Sequence, residues 1–201
     1  KLSLFLGGIL LFAPVWTGKL FGICFLLFPV AASATASPQP EEKILPTRSQ
    51  REQILNWGIQ MLGYYERYAG KKDHWLPPDQ VQDSPIDRIT RRTSPGNIGM
   101  MLLSYLAARD MGFIDSAALN VRLTRTFDTL DKLEKYKGNL YNWYATGSLE
   151  VLAPRFIPFA DNGNLFCTLT VLREGIREYS AEEPKLHKIG ERIDQYLSEG
   201  D

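Results

Sequence analysis

Arg91-Arg92-Thr93-Ser94-Pro95-Gly96-Asn97-Ile98-Gly99 is the point where a polar, irregular stretch of this chain turns abruptly into an apolar helix. Ser94 is a favoured N-cap, and Pro95 occupies the first helical position, where its missing N–H costs nothing. Free N–H groups and the positive end of the helix dipole gather there, and the spacing predicts that Arg91, Arg92, Thr93 and Asn97 converge with them on one polar spot. Ile98, Met101, Leu102, Tyr105 and Leu106 then recur at three- and four-residue intervals, so one face of this helix lies on a core as far as Gly112.

On the N-terminal side, Asp73 to Thr93 carries Pro77, Pro78 and Pro85 and suits neither a helix nor a strand; a connection that long inside a domain is a candidate functional loop. Before it, Ile54, Trp57, Met61, Tyr64, Tyr65 and Tyr68 predict an amphipathic helix from Gln53, its aromatic stripe turned to the core. Residues 37–50 read as a linker containing Pro38, Pro40 and Pro46. Residues 1–36 are almost entirely apolar apart from Thr17-Gly18-Lys19. Two readings fit them: a membrane-exit helix or helix pair, each run short against the roughly 20 residues of a span, or a signal-like segment with Leu20 to Val30 as its apolar core.

On the C-terminal side, Asp115 caps a helix with Leu119, Leu123, Thr126, Phe127, Leu130 and Leu133 on its buried face and Gly138 past its end. Asp128 with Lys132, and Asp131 with Lys135, read as four-apart surface pairs. A second long irregular segment, Asn139 to Gly163, leads into a helix carrying Leu165, Leu169, Leu172, Ile176 and Tyr179, and a last helix runs from about Glu182 to Leu197. With no useful strand alternation, the expected class is all-α: helical hairpins in an arc, joined by alternating long and short connections, with the domain unfinished at Asp201.

Charge narrows the function. The 23 acidic side chains balance 23 basic ones, so no clustered excess exists to hold a phosphate backbone, and nucleic acid is an unsuitable partner. Cys24 and Cys167 read as free thiols in packed surroundings, and neither they nor His74 and His187 have metal-ligand spacing; no metal or cofactor is implied. The two long loops instead interleave Trp, Tyr and Phe with Asn, Arg, Asp and His. Aromatic faces suit the C–H face of a pyranose, and forked or carboxylate side chains suit its hydroxyls. The same aromatics could equally plug the helices from one end.

Several stretches resemble successive motifs of one family: His74-Trp75-Leu76-Pro77-Pro78-Asp79-Gln80-Val81-Gln82, Arg92 to Gly99, Ala107-Ala108-Arg109-Asp110-Met111-Gly112-Phe113-Ile114, Tyr141-Asn142-Trp143-Tyr144 and Asp161-Asn162-Gly163-Asn164-Leu165. That family is the glucoamylase-like region of cyclic β-1,2-glucan synthases, shared in part with related periplasmic glucan-active proteins. The likeness runs from about Arg51 to Tyr179 with the motifs in the family's order. It implies a partial (α/α) toroid, a β-1,2-glucan or similar oligosaccharide as ligand, transglycosylation or hydrolysis as chemistry, and a place on the periplasmic side of a membrane within a larger polypeptide. It further implies catalytic carboxylates on later helices, so no catalytic residue is assigned here. The residues expected to meet the sugar are His74, Trp75, Asp79, Arg92, Thr93, Asn97, Asn142, Trp143, Tyr144, Asp161 and Asn164. The chain departs from the pattern at Ala145, where an acid is usual, at Gly96, where threonine is common, and in the approach Phe159-Ala160 to Asp161.

Overall fold

The computed structural model describes residues 45–199; the apolar segment 1–36 and most of the linker lie outside the described residues. Among the described residues, no helix is long and apolar enough to cross a membrane. Five helices dominate: α1 (Arg48–Tyr68), α2 (Pro95–Asp110), α3 (Ser116–Leu130), α4 (Phe159–Tyr179) and α5 (Leu186–Glu199). The first starts earlier than its apolar periodicity suggests, because Thr47 and Gln50 form a reciprocal cap: the Gln50 N–H donates to Thr47 Oγ1 at 3.3 Å, and the Thr47 N–H donates to Gln50 Oε1 at 2.8 Å. The start of α2 is as read, with Pro95 in the first turn and the Asn97 N–H donating to Ser94 Oγ at 3.2 Å.

The all-α expectation needs correction, for the long connections fold into short antiparallel sheets. β1 (Gln80–Gln82) pairs with β2 (Arg88–Thr90), β4 (Lys135–Tyr136) with β5 (Asn139–Leu140), and β6 (Asn142–Ala145) lies between β3 (Arg92–Thr93) and β7 (Val151–Phe156). Runs of two to four residues show too little alternation to register as strands, and Pro154 disguises the longest one, an edge strand where a missing N–H is tolerated. Gly138 does not stop α3 either. It forms, with Lys137, the tip of the β4–β5 hairpin, both at positive φ (49° and 76°), as a tight two-residue turn requires.

The core gathers Ile98, Met101 and Leu102 from α2, Leu119, Leu123 and Phe127 from α3, Leu169, Leu172 and Ile176 from α4, and Leu186, Ile189 and Ile193 from α5. Each such side chain contributes about 1.5–3 kcal/mol by leaving water. Between α2 and α4 the contact is close enough that a methyl group placed on Gly175 would meet Leu106 Cδ1 at 2.7 Å. The aromatic stripe of α1 is not core: the helix buries none of its residues, and Ile54, Trp57 and Met61 are 42%, 54% and 46% exposed. It touches the rest mainly through α2, with Leu62 and Tyr65 against the core and the Tyr65 and Tyr105 rings 6.1 Å apart. Asp128 and Asp131 also serve differently from the surface pairs expected. Arg192 of α5 reaches both, at 3.0 and 2.6 Å, and the Tyr196 hydroxyl donates to Asp131 at 2.7 Å, so these acids fasten α5 to α3. Lys135 Nζ instead donates to the Leu130 carbonyl at 2.7 Å, and burial lowers its pKa. Cys167 is a free thiol but exposed, not packed; Cys24 lies outside the described residues.

Candidate functional site

At the N-terminal mouth of α2, residues from three segments meet. Asp79, just before β1, is held beside Thr90 by its own N–H donating to the Thr90 carbonyl at 3.1 Å. Its Oδ2 accepts from Arg92 Nε at 3.1 Å and Nη2 at 3.0 Å, and its Oδ1 accepts from Asn97 Nδ2 at 3.3 Å. The Arg92 guanidinium in turn lies 4.2 Å over the Trp143 ring. Tyr64 of α1 is a neighbour as well: burial is the main reason its phenol titrates high, and the nearby Tyr65, Tyr68 and Asp79 add to it. On the other side of the mouth, a methyl group placed on Gly96 would sit 3.3 Å from the Asp161 carboxyl carbon. The side chain of Asp161, in the first turn of α4, makes no hydrogen bond to another described residue.

Asp79, Arg92, Asn97 and Trp143 thus form one connected group, with Asp161 against the same helix end. Arg91 does not join them. Successive side chains of an extended segment point to opposite sides, and Arg91 turns to Asp73, a buried carboxylate 2.5 Å from its Nη1 that also accepts from Thr146 Oγ1 at 2.7 Å. Thr93 and Asn142 are buried in β3 and β6, and Thr93 Oγ1 and Asn142 Oδ1 have no partner among the described residues. Tyr144 is fully buried; its hydroxyl donates to the Glu134 carbonyl at 2.6 Å and accepts the Tyr141 N–H at 2.8 Å, and burial pushes its pKa up to about 12.

His74 and Trp75 face elsewhere. His74 Nδ1 lies 2.9 Å from the Thr146 carbonyl oxygen, and its own carbonyl accepts from Thr129 Oγ1 at 2.6 Å. Trp75, with Arg125 4.3 Å above its ring, lines a cavity of about 90 Å³ with Tyr65, Tyr105 and Arg122. Asn164 is exposed on α4. Two positioning residues escaped the sequence reading. Asp73 ties both long loops together through Arg91 and Thr146, and no motif pointed to it. Asn162 clips the second loop to α4, accepting the Leu140 N–H at 2.9 Å and donating to the Leu140 carbonyl at 2.9 Å. Its place inside Asp161-Asn162-Gly163-Asn164 was the available signal. Larger hollows, about 430 Å³ around Phe159 and Phe166 and about 670 Å³ between Glu134 and Leu152, have none of Asp79, Arg92, Asn97, Trp143 and Asp161 in their linings, although Asn162 lines the first. Among the described residues no group of three or more His, Cys, Asp or Glu converges as a metal site.

No family model matches the chain. Over 174 residues it is 34% identical to the cyclic β-(1,2)-glucan synthase NdvB of Rhizobium meliloti (strain 1021), a match covering 84% of this chain. The chain is similar to a segment of a cyclic β-1,2-glucan synthase. It spans only 6% of that synthase's length. Among solved structures, a glucoamylase-like protein of Bacteroides fragilis superposes at TM-score 0.61 with 16% identity, over 79% of this chain and 37% of that one. An endo-β-1,2-glucanase of Chitinophaga pinensis, solved with sophorotriose and glucose, superposes at 0.60 with 15% identity, over 72% and 35%. At such identities the likeness establishes a mostly helical, glucoamylase-like fold, while the resemblance to cyclic β-1,2-glucan synthases rests on sequence.

Proposed function

We propose that this chain is the N-terminal part of a glucan-active domain in a cyclic β-1,2-glucan synthase-like protein, an arc of an (α/α) toroid that handles β-1,2-glucan or a similar oligosaccharide during transglycosylation or hydrolysis. The observation carrying this reading is the connected group Asp79–Arg92–Asn97–Trp143 at the mouth of α2, with the Asp161 carboxylate, unpaired among the described residues, opposite. Arg92 and Asn97 supply donors, Asp161 supplies an acceptor, and the Trp143 face not covered by Arg92 receives a pyranose. In the same reading residues 1–36 attach the domain to a membrane, as a span or a signal-like segment, and the domain lies in the cell envelope on the periplasmic side. The proton transfers at the glycosidic bond fall to carboxylates elsewhere in a larger polypeptide. A second reading, a non-catalytic glycan-binding or structural segment of a membrane-bound synthase, draws on the guanidinium groups that already cover one face of Trp75 and of Trp143.

Calorimetric titration with β-1,2-gluco-oligosaccharides, run beside a thermal melt, separates the two. Aromatic contacts and buried polar pairs are each worth on the order of 1 kcal/mol, so Trp143→Ala and Arg92→Ala should each weaken binding several-fold to tens-fold. Unchanged affinity with a lowered melting temperature in both variants would remove the mouth of α2 from any glycan site.

A further inference from the structure

Beside the mouth of α2 lies a cleft of about 250 Å³ lined by Asp79, Gln80, Gln82, Arg88, Thr90 and Arg92. The β1–β2 register sets Gln80 opposite Thr90 and Gln82 opposite Arg88, with Val81 opposite Ile89 between them. Alternation along a strand therefore puts Gln80, Gln82, Arg88 and Thr90 on one face and Val81 and Ile89 on the other. The polar face continues two residues on into Arg92. Of its side chains, Gln82 is engaged locally, Nε2 donating to the Ser84 carbonyl at 2.9 Å; Gln80, Arg88 and Thr90 make no side-chain hydrogen bond to another described residue.

Resting on the proposed function, we infer that this face is a second saccharide subsite, continuous with the mouth of α2 through Asp79 and Arg92, along which the hairpin carries further glucose units of an extended chain. Arg88 leaves the lining one guanidinium in excess, yet the mix of donors and acceptors around it suits a neutral polyol. Asp79 already offsets Arg92, and two carboxamides and a hydroxyl offer acceptors as well as donors, matching hydroxyl groups that do both. The steps from Asp79 to Gln82 run about 10 Å, longer than one pyranose ring needs.

The test uses the full chain titrated with sophorose and with a linear β-1,2-linked hexasaccharide. Gln80→Ala and Arg88→Ala should each weaken hexasaccharide binding roughly two- to tenfold, the range of one or two lost hydrogen bonds, and leave sophorose binding unchanged. Trp143→Ala should weaken both ligands. If the hairpin variants leave hexasaccharide affinity intact while Trp143→Ala lowers it, the second subsite is overturned and the proposed function survives. Equal loss for both ligands, tracking a lowered melting temperature, also overturns it by making the hairpin a scaffold. Absence of binding of either sugar by the unaltered chain overturns both readings.

Discussion

Asp79 and Asp161 flank the same helix end, yet the structure gives them different work, and replacing each by asparagine separates the two. The Asp79 carboxylate, 20% exposed, accepts two N–H groups of Arg92 and one of Asn97, at 3.0–3.3 Å. Hydrogen bonds to a charged partner contribute about 1.5–3 kcal/mol each when buried, but Arg92 is 40% exposed and water replaces part of what is lost. Asparagine also turns an amide donor toward donors. Asp79→Asn should therefore cost about 2 kcal/mol, lowering the melting temperature of a domain this size by roughly 4–8 °C. Asp161 gives up no hydrogen bond to a described residue. Its substitution removes only the attraction of a carboxylate for helix N-termini, about 0.3–1 kcal/mol, or a fall of roughly 1–3 °C. Circular dichroism melts of both variants, backed by urea midpoints, measure the difference. An Asp161→Asn loss equal to or larger than that of Asp79→Asn would refute the division into an anchored and an available carboxylate.

Gly175→Ala should destabilise by about 1–3 kcal/mol, because the added methyl group meets Leu106 at 2.7 Å, and Leu106→Val should recover part of the loss in a double-mutant cycle. Tyr144→Phe should cost about 1–3 kcal/mol in urea unfolding by stranding the Tyr141 N–H and the Glu134 carbonyl. Because burial raises the Tyr144 phenol from 10.0 to about 12, the stability tied to its proton is present below pH 10 and lost as pH climbs through 12; the phenylalanine variant should lack that alkaline loss. Glu182 is held below the ordinary 4.5 by the Ser116 hydroxyl and then Arg109, so its contribution is present above that pH and lost as pH falls through the depressed value. In melts across the acid range, Glu182→Gln should show a shallower loss below pH 4.5 than the unaltered chain.

The parts of the fold that were legible are those fixed within one turn of helix. Ser94, Pro95 and Asn97 determine where α2 begins through bonds spanning three residues, and the structure begins it there. The buried face of α3 was legible as far as Leu130 for the same reason, but Leu133 is also buried and extended the apparent period beyond the helix, into the turn before the β4–β5 hairpin. The exposure of α1 was not legible. An apolar stripe reports that a face is hydrophobic, and how much of it is covered depends on which neighbours reach it, here chiefly α2. Partners 13 to 73 residues apart were equally out of reach: nothing local makes Asp79 choose Arg92, Asp73 choose Thr146, or Arg192 choose the acids of α3.

The tryptophans show why residue types alone leave the site ambiguous. Arginine interleaved with tryptophan is what a sugar site needs, a ring to stack on and a fork of donors beside it, and it is equally what a cation–π staple needs. Both tryptophans of the long loops carry a guanidinium, Trp75 with Arg125 at 4.3 Å and Trp143 with Arg92 at 4.2 Å, so one face of each ring is already spoken for. What differs is the surroundings. Trp75 closes a cavity of about 90 Å³ among α1, α2 and α3, too small for a pyranose beside Tyr65, Tyr105 and Arg122. Trp143 stands at the end of a polar group that opens on the 250 Å³ cleft through Arg92. There the indole and the Asp79 carboxylate together hold the Arg92 guanidinium in place. A sugar bound at this mouth would therefore meet an Arg92 side chain already held, at little further cost in side-chain entropy, whereas an arginine free of the indole and of Asp79 would have to be ordered by the ligand itself.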